Sequence, residues 1–344
     1  MTTKADQDQR TGRRPLRGDL VRVRSREDIL ATLDETGALR GQVFMPEMLQ
    51  YCGKELPVAA RAHKTCDIIG LTGTSRRLTD TVHLGGARCD GSAHGGCEAG
   101  CLLFWPEEWL EWPDAPGAPI TKAPTVGGIT EDRLYATTLS VREPGADPVY
   151  RCQATDITQA SSHQRVRELR QFVEDVRSRN VSLWFMLRGV VIEVFNTYQR
   201  RSRRWLPGWL RLKDGKEFPF YGGTGTGERT PRLHLQPGEL VEVKSKDEIM
   251  ATLSPENKNR GMWFDQEQLV YCGTRATVGR QVTRIVDERT GKMIKLGDCV
   301  VLNDVVCMGK YRLSCPRAVT PYWREAWLRR VHEDAASEPA RHVS

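Results

Sequence analysis

Hydrophobic and polar residues alternate in two short segments of the chain. LVRV occupies residues 20–23, and LVEV occupies residues 240–243. A period of two predicts a β-strand with one face against a core. Each segment is followed by a serine, Ser25 or Ser245, and then by acidic residues, which is the pattern of a helix N-terminus. The same strand and helical turn are therefore predicted at two places.

The two segments belong to an internal repeat. Residues 18–53 align with residues 238–273 without a gap, and 17 of these 36 positions are identical. Further on, the alignment resumes after a short length change. The matched residues there are Cys89, Cys97, Trp105 and Trp109 in the first copy and Cys307, Cys315, Trp323 and Trp327 in the second. We define module 1 as residues 18–113 and module 2 as residues 238–331.

Both modules are predicted to be mainly β. Residues 280–296 place strand-forming side chains on either side of a Thr-Gly turn, and residues 299–307 are rich in valine. The closing sequences, FWPEEWL and YWREAWL, predict a short amphipathic helix at the end of each module. The expected fold of each module is a small SH3-like β-barrel, by analogy alone.

The middle region, residues 114–237, has a different character. Residues 161–180 have a polar helix pattern, and residues 163–213 contain twelve Arg and Lys against four Asp and Glu. The glycine-rich residues 216–231 are interpreted as a linker, and the polar ends 1–17 and 332–344 as disordered tails. The expected architecture is mainly β with a helical insertion, in which two homologous modules flank a basic, partly helical region.

The cysteine content bears on the cellular compartment. No segment has the roughly 20 apolar residues of a transmembrane helix. The N-terminal sequence is polar and basic without the apolar core of a secretory signal. We therefore expect a cytoplasmic protein whose ten cysteines are reduced. In that setting, clustered cysteines more often bind metal or catalyse than form disulfides.

The repeat divides the cysteines into shared and unshared ones. The shared pairs are Cys52 with Cys272, Cys89 with Cys307, and Cys97 with Cys315. Packing is one explanation, because free cysteine is a small buried hydrophobe, but packing alone would also accept valine or alanine. Metal ligation is the preferred hypothesis. In module 2, Cys299 completes a set of four with the shared cysteines, which predicts structural zinc or, alternatively, an iron–sulfur cluster.

Module 1 has more candidate ligands than a closed site needs. Cys101 joins the shared Cys52, Cys89 and Cys97 as a predicted ligand, and His83 is another candidate for the fourth position. Surplus ligands can leave a coordination position open for water or substrate.

The catalytic hypothesis for module 1 rests on two histidines. His83 and His94 are the predicted catalytic residues, and His94 lies within the glycine-rich loop 89–101. Cys152 has no partner in the repeat. It is interpreted as a buried apolar residue, with an extra metal ligand or a nucleophile as alternatives.

The middle region contains a cluster of cations beside an aromatic residue. The cluster consists of Arg200, Arg201, Arg203 and Arg204, and Trp205 follows it. Such a mixture can hold nucleic acid or an acidic protein, or lie on an anionic membrane surface. A solvated basic face is the simplest alternative. The glycine run 222–227 lacks the lysine and the strand–loop–helix context of a phosphate-binding loop.

Two classes of function follow. In the first, the chain is a cysteine-ligated metalloprotein, with module 2 structural and module 1 the active metal or iron–sulfur site of a biosynthetic or redox enzyme. In the alternative, zinc stabilises two non-catalytic modules, and the basic middle region holds nucleic acid or an acidic protein partner. The surplus ligands of module 1 favour the first class. The lack of an obvious acid–base pair of carboxylates favours the second.

Overall fold

The structure is a computed structural model that describes residues 14–67, 69, 75–114, 128–141, 145–228 and 232–331. Most of both predicted tails, residues 1–13 and 332–344, lies outside the described residues. The chain divides into two compact units. Unit 1 contains residues 1–96, 100–183 and 287–292, and unit 2 contains residues 97–99, 184–286 and 293–344.

Unit 1 consists mainly of short strands. They are β1 (Leu20–Val23), β2 (Ala38–Leu39), β3 (Gln42–Val43), β4 (Glu55–Arg61), β5 (Lys64–Cys66), β6 (Ser75–Arg77), β7 (Thr81–Arg88), β8 (Leu102–Pro106), β9 (Leu110–Glu111), β10 (Leu139–Val141), β11 (Val149–Tyr150) and β12 (Ser162–Gln164). Its α-helices are α1 (Arg26–Thr32), α2 (Glu131–Ala136), α3 (Ile157–Ala160) and α4 (Arg170–Arg177), and its 3-10 helices are Pro46–Tyr51 and Glu107–Trp109.

Module 1 is built on a five-stranded antiparallel sheet with the order β8-β7-β4-β1-β9. Val21 and Val23 of β1 are buried, as the alternating sequence predicts, and Val21 pairs with Leu56 of β4. The helix α1 begins where expected, because the side chain of Ser25 accepts a hydrogen bond from the backbone N–H of Asp28. The second half of the sheet is bent by irregularities in the pairing of β7.

Unit 2 contains the long helix α5 (Leu183–Trp205), from its second residue onward, and the short helix α6 (Lys246–Met250). Its strands are β13 (Leu240–Val243), β14 (Lys258–Asn259), β15 (Met262–Trp263), β16 (Arg275–Gln281), β17 (Arg284–Val286), β18 (Met293–Lys295), β19 (Cys299–Leu302), β20 (Trp323–Arg324) and β21 (Leu328–Arg330). Its 3-10 helices are Gly208–Leu210, Leu212–Gly215, Gln266–Tyr271 and Glu325–Trp327. None of the described helices is both long and apolar enough to cross a membrane.

Module 2 has the same sheet as module 1. Its five strands have the order β20-β19-β16-β13-β21, and the pair Val241–Ala276 repeats Val21–Leu56 of module 1. The pairing of β16 with β19 is irregular at the position where β4 and β7 are irregular. The two copies therefore share their strand order as well as their sequence.

An indole ring lies at the centre of each module core. Trp109 in module 1 and Trp327 in module 2 are fully buried. Each packs edge-on against a phenylalanine, with ring centroids 5.1 Å apart, and donates its Nε1–H to a threonine, Thr32 at the end of α1 or Thr252 just beyond the end of α6. These contacts fix the last strand of the module against the first helix.

The prediction of a mainly β chain is confirmed. The hairpin in residues 280–296 forms as β17 and β18. The predicted terminal amphipathic helix is wrong. In both modules the segment is two strands around a single 3-10 turn, because it continues the sheet with its indoles facing the core. Residues 161–180 form strand β12 before α4 begins.

The glycine run 222–227 packs closely against module 2. A Cβ atom on Gly223 would lie 1.9 Å from the carbonyl oxygen of Ser254, and one on Gly225 would lie 1.9 Å from that of Ala251. The backbone N–H of Gly225 donates to Leu253 O at 2.8 Å. These glycines are explained by close backbone contact, since no larger residue fits.

Trp327→Ala is expected to lower the free energy of unfolding by about 3–5 kcal/mol, because it empties the module 2 core and leaves the Thr252 hydroxyl without its indole donor. Trp263→Ala is the control, since Trp263 is 51% exposed and should lose less than about 1 kcal/mol. Chemical denaturation followed by circular dichroism measures both. Equal losses would contradict the assignment of the core.

Candidate metal centre

The 3-10 helix Pro46–Tyr51 places a carboxylate inside module 1. Glu47 follows the proline that starts this helix, and its side chain is completely buried. Oε1 of Glu47 accepts a hydrogen bond from the backbone N–H of Ala93 at 3.3 Å. Burying a carboxylate is costly unless its oxygens are satisfied, so this side chain needs compensating donors or a cation.

The loop after β7 brings a thiol and an imidazole to this carboxylate. Gly91, Gly95 and Gly96 have positive φ angles of 74°, 73° and 68°, which allow the loop to turn twice within six residues. The backbone N–H groups of His94 and Gly96 both donate to Gly91 O, at 3.1 and 2.9 Å. The loop therefore has a defined conformation that directs the side chain of His94 inward, where it is 2% exposed.

Glu47, Cys89 and His94 form a compact group. Nδ1 of His94 lies 2.8 Å from Oε1 of Glu47, and Nε2 of His94 lies 3.8 Å from Sγ of Cys89. Sγ of Cys89 lies 3.9 Å from Oε1 of Glu47. Among the described residues, this is the group in which three or more candidate metal ligands lie within 4.8 Å of one another.

One buried oxygen at this site lacks a hydrogen-bond donor among the described residues, and the neighbouring thiol has a shifted pKa. Oε2 of Glu47 is buried and accepts no hydrogen bond from any residue that the structure describes. Burial raises the pKa of the Cys89 thiol, and this effect exceeds the opposing influence of His94. A bound cation would satisfy the carboxylate and would also deprotonate the thiol.

The equivalent loop of module 2 has the same backbone but a different side chain. Glu267 occupies the position of Glu47 and accepts hydrogen bonds from the backbone N–H groups of Lys310 and Tyr311, at 2.9 and 2.6 Å. The N–H groups of Arg312 and Ser314 donate to Gly309 O, as His94 and Gly96 do to Gly91 O. Arg312 replaces His94, and its guanidinium pairs with Asp265. Module 2 therefore keeps the carboxylate and the loop but lacks the imidazole.

The predicted catalytic residue His83 lies away from this group. It is buried in β7, its Nδ1 is 2.9 Å from Leu103 O, and its ring packs on Phe104 with centroids 4.5 Å apart. His83 is not among the residues that the structure brings to Glu47 and Cys89. Its position on a strand that is covered by β8 explains this separation.

The other predicted ligands of module 1 are dispersed. Cys52 packs against the module 1 core, and burial raises its pKa to about 11. Cys101 continues the sheet, since its carbonyl accepts from Cys89 N at 2.8 Å. Cys97 belongs to unit 2, where its Sγ accepts from Val286 N at 3.3 Å. Cys152 is buried in the module 1 core, and burial raises its pKa to about 11.

The four cysteines of module 2 do not form a comparable group. No three of Cys272, Cys299, Cys307 and Cys315 have their sulfurs within 4.8 Å of one another. Cys272 packs on the main core, whereas Cys299 is buried in a separate cluster with Val282 and Val301. Structural zinc or an iron–sulfur cluster at these cysteines stays a prediction, and the described geometry gives it no support.

Two of the four arginines of the basic cluster have acidic partners. Arg200 pairs with Glu193 and Glu217, and Arg203 also pairs with Glu217. Arg204 lies beside the Trp205 ring, with its Cζ 5.9 Å from the centroid. Only part of the cluster's charge is therefore available to nucleic acid or an acidic protein.

Glu47 is the site residue that sequence reasoning missed. Glu47 and Glu267 are identical residues within the gapless part of the repeat, five positions before the shared cysteine. An acidic residue retained in both copies while its immediate neighbours changed is the same kind of signal as the shared cysteines. It was available in the sequence.

The comparisons with known proteins add no relative. The sequence matches no protein-family model, and no curated protein or solved structure is significantly similar to the chain.

Glu267→Gln is expected to remove a pH dependence of stability. Burial, the largest influence, raises the pKa of Glu267 in the folded chain to about 7 from an ordinary value of 4.5. Folding therefore favours the protonated carboxyl, and its contribution is lost as the pH rises from about 4.5 to about 7. Over that range the wild-type free energy of unfolding should fall by up to about 1.4 kcal/mol per pH unit.

The control for this experiment is Glu239→Gln in the same unit. A hydrogen bond from Arg330 holds the pKa of Glu239 below its ordinary value, so its own effect on stability has the opposite sign and is confined to the acid end of the window. Urea denaturation between about pH 6 and pH 7 should give a flatter profile for Glu267→Gln and an unchanged profile for Glu239→Gln. A wild-type profile that rises with pH and is unaffected by Glu267→Gln would contradict the assignment.

Proposed function

We propose that module 1 is a metal-binding module in which Cys89, His94 and Glu47 hold one divalent ion. The observation that carries the proposal is the buried group of a thiol, an imidazole and a carboxylate within 4.8 Å. Three different donors of this kind suit zinc, which binds Cys, His and Glu at about 2.0–2.3 Å. The present separations, 3.8 Å and 3.9 Å from Sγ, are close to those between neighbouring ligands of one such ion.

A site with three protein ligands differs chemically from a closed one. The fourth position of a tetrahedral ion would be open to water or substrate, and such an ion can polarise a carbonyl or lower the pKa of water. We therefore propose a zinc-dependent enzyme in preference to an iron–sulfur protein. Four thiolates are the usual ligand set of a cluster, and the described cysteines do not supply one.

The difference between the modules supports a division of labour. Module 2 has the buried Glu267 and the matching loop, but its carboxylate is already engaged by two backbone N–H groups and Arg312 stands in place of His94. We propose that module 2 is structural and that its loop needs no ion. Module 2 is thus still proposed to be structural and module 1 active. The reason is now the environment of Glu267, and not a closed set of four cysteines.

The finer fold class is part of the same proposal. We infer an SH3-like barrel for each module from the strand order and from the 3-10 turn before the last strand, which occur in both. We also propose a reducing, cytoplasmic location. Its support is that Cys52, Cys89, Cys152, Cys272 and Cys299 form no disulfide in the structure.

A second candidate function uses the same three side chains without an ion. Cys89, His94 and Glu47 contact one another in the order of a nucleophile, a general base and an orienting acid. Nucleophilic cysteines, however, are generally exposed and have a lowered pKa. Cys89 is mostly buried and its pKa is raised, which favours the metal site.

Metal titration tests the first candidate. We expect about one zinc per chain in equilibrium dialysis, and a thiolate-to-cobalt charge-transfer band when cobalt replaces zinc. Cys89→Ser and His94→Ala should each weaken binding by at least about 100-fold, since each removes a ligand. Cys307→Ser, at the equivalent position of module 2, is the matched control and should change the affinity less than about threefold.

A charge-transfer band that survives Cys89→Ser and disappears with Cys307→Ser would contradict the proposal. It would assign the ion to the predicted cysteine set of module 2. Loss of zinc from wild type without loss of stability would further indicate an exchangeable site, because a structural ion contributes to the folding free energy.

Alkylation distinguishes the second candidate. In metal-free protein at neutral pH, iodoacetamide should label Cys89 no faster than Cys307, as followed by peptide mass spectrometry. An activated nucleophile would react at least about tenfold faster, and His94→Ala would remove that advantage. Fast, His94-dependent labelling would therefore favour the catalytic triad over the metal site.

A further inference from the structure

The helix α5 in unit 2 exposes its apolar side chains and buries polar ones. Its buried residues are Gly189, Asn196, Gln199 and Ser202. Asn196 exchanges two hydrogen bonds with the backbone of Phe218, and Gln199 donates to the carbonyls of Leu212 and Lys216. The helix is thus attached to its unit through a polar face.

The opposite face of α5 carries an apolar stripe. We define the stripe as the exposed side chains of Trp184, Leu187, Val191, Val194, Tyr198 and Trp205. Their spacing of three, four, three, four and seven residues keeps them on one side of the helix. Trp209, Leu210 and Leu212 are also exposed just beyond the helix, so the apolar surface continues after it ends.

Basic residues border the apolar stripe. Residues 183–213 contain seven Arg and Lys against one acidic residue, Glu193, which is paired with Arg200. Arg188, Arg201 and Arg204 are exposed and form no ion pair with a residue described in the structure. An apolar stripe with tryptophans and bordering arginines is the composition of helices that lie in a membrane interface.

We propose that the stripe of α5 docks on the surface of an anionic phospholipid bilayer. The argument is charge complementarity together with the exposed indoles, since tryptophan prefers the headgroup level and arginine is attracted by anionic lipid. The helix lies on the bilayer in this arrangement and does not cross it. The anionic face of the plasma membrane is the cytoplasmic one, which agrees with the location proposed above.

A second copy of the chain fits the stripe less well. A two-fold pair of α5 helices would bring the exposed arginines of both copies together with no unpaired acid among residues 183–213 to oppose them. Coiled-coil partners normally place opposite charges along these edges. The large indole of Trp184 and the cation of Arg201 would also occupy seam positions. Charge therefore favours lipid as the occupant.

Vesicle flotation tests the proposal with the full chain. We expect wild type to float with phosphatidylcholine vesicles that contain about 30% phosphatidylserine, and not with pure phosphatidylcholine. Raising the salt concentration from about 0.1 M to about 0.5 M should weaken the binding. The double substitution Val191→Glu and Val194→Glu should weaken it by at least about tenfold, because two side chains leave the apolar contact.

Val173→Glu is the matched control, because Val173 is exposed on a different helix, α4, and should retain wild-type binding. Replacing Arg201 and Arg204 by Ala should weaken binding to the anionic vesicles without touching the apolar residues. Thermal melting confirms that each variant is folded.

The proposal would be overturned if wild type does not float, or if the variant with Val191→Glu and Val194→Glu floats like wild type. A dimer that the Val191→Glu and Val194→Glu substitutions dissociate, with no flotation, would assign the stripe to a second copy instead.

Discussion

A glutamate side chain is buried in each module, at the second residue of the longer 3-10 helix, and the loop that follows β7 or β19 is held against it. In module 2 the carboxylate is compensated by two backbone N–H groups, and in module 1 by one N–H group and an imidazole. A carboxylate in this position is stable only while the loop supplies its donors. The loop conformation and the burial of the glutamate are therefore interdependent, and the position of Cys89 or Cys307 follows from both.

The rest of each module supports this arrangement. The strand β4 or β16 starts a few residues after the 3-10 helix and forms the middle of the sheet, so the helix cannot shift without displacing the core. The indole of Trp109 or Trp327 connects the end of the module to the C-terminal end of its first helix. Many identities of the repeat lie in this framework. The structural roles of these residues explain the identities between the modules, and no common catalytic or metal-binding role is needed.

The sequence was sufficient for the strands and for the duplication, because alternation and self-similarity report directly on which side chains face a core. It was less informative about the cysteines. Cys52 and Cys272 recur because both follow the 3-10 helix and pack on equivalent cores, and the same environment retained the same residue. Recurrence between copies shows that two environments are alike. It does not show that the environment is a metal site, which needs further ligands within reach. Among the described residues, Cys89 has such neighbours in Glu47 and His94, whereas Cys52 belongs to no such group.

Glu47 was overlooked for a related reason. A glutamate is ordinarily a surface residue, and only the three-dimensional pairing of the 3-10 helix with a loop more than 40 residues later reveals that it is buried. His94 was identified because its glycine-rich surroundings are unusual in composition, whereas His83 lies within strand β7 and packs as a core residue. Local sequence thus indicated the loop, but the partner across the core had to come from the fold.

Within the group of Glu47, Cys89 and His94, the two modules differ at one position, that of His94 in module 1 and Arg312 in module 2. Glutamate, cysteine and the loop backbone are common to both modules, so none of them alone distinguishes an active site from a structural one. At the remaining position, module 1 has the imidazole of His94, which lies against the carboxylate, and module 2 has Arg312, which pairs with Asp265. An arginine satisfies charge but cannot coordinate an ion, because it has no lone pair to offer. Under the proposal above, the imidazole is therefore the side chain that distinguishes the candidate metal site of module 1 from the equivalent loop of module 2.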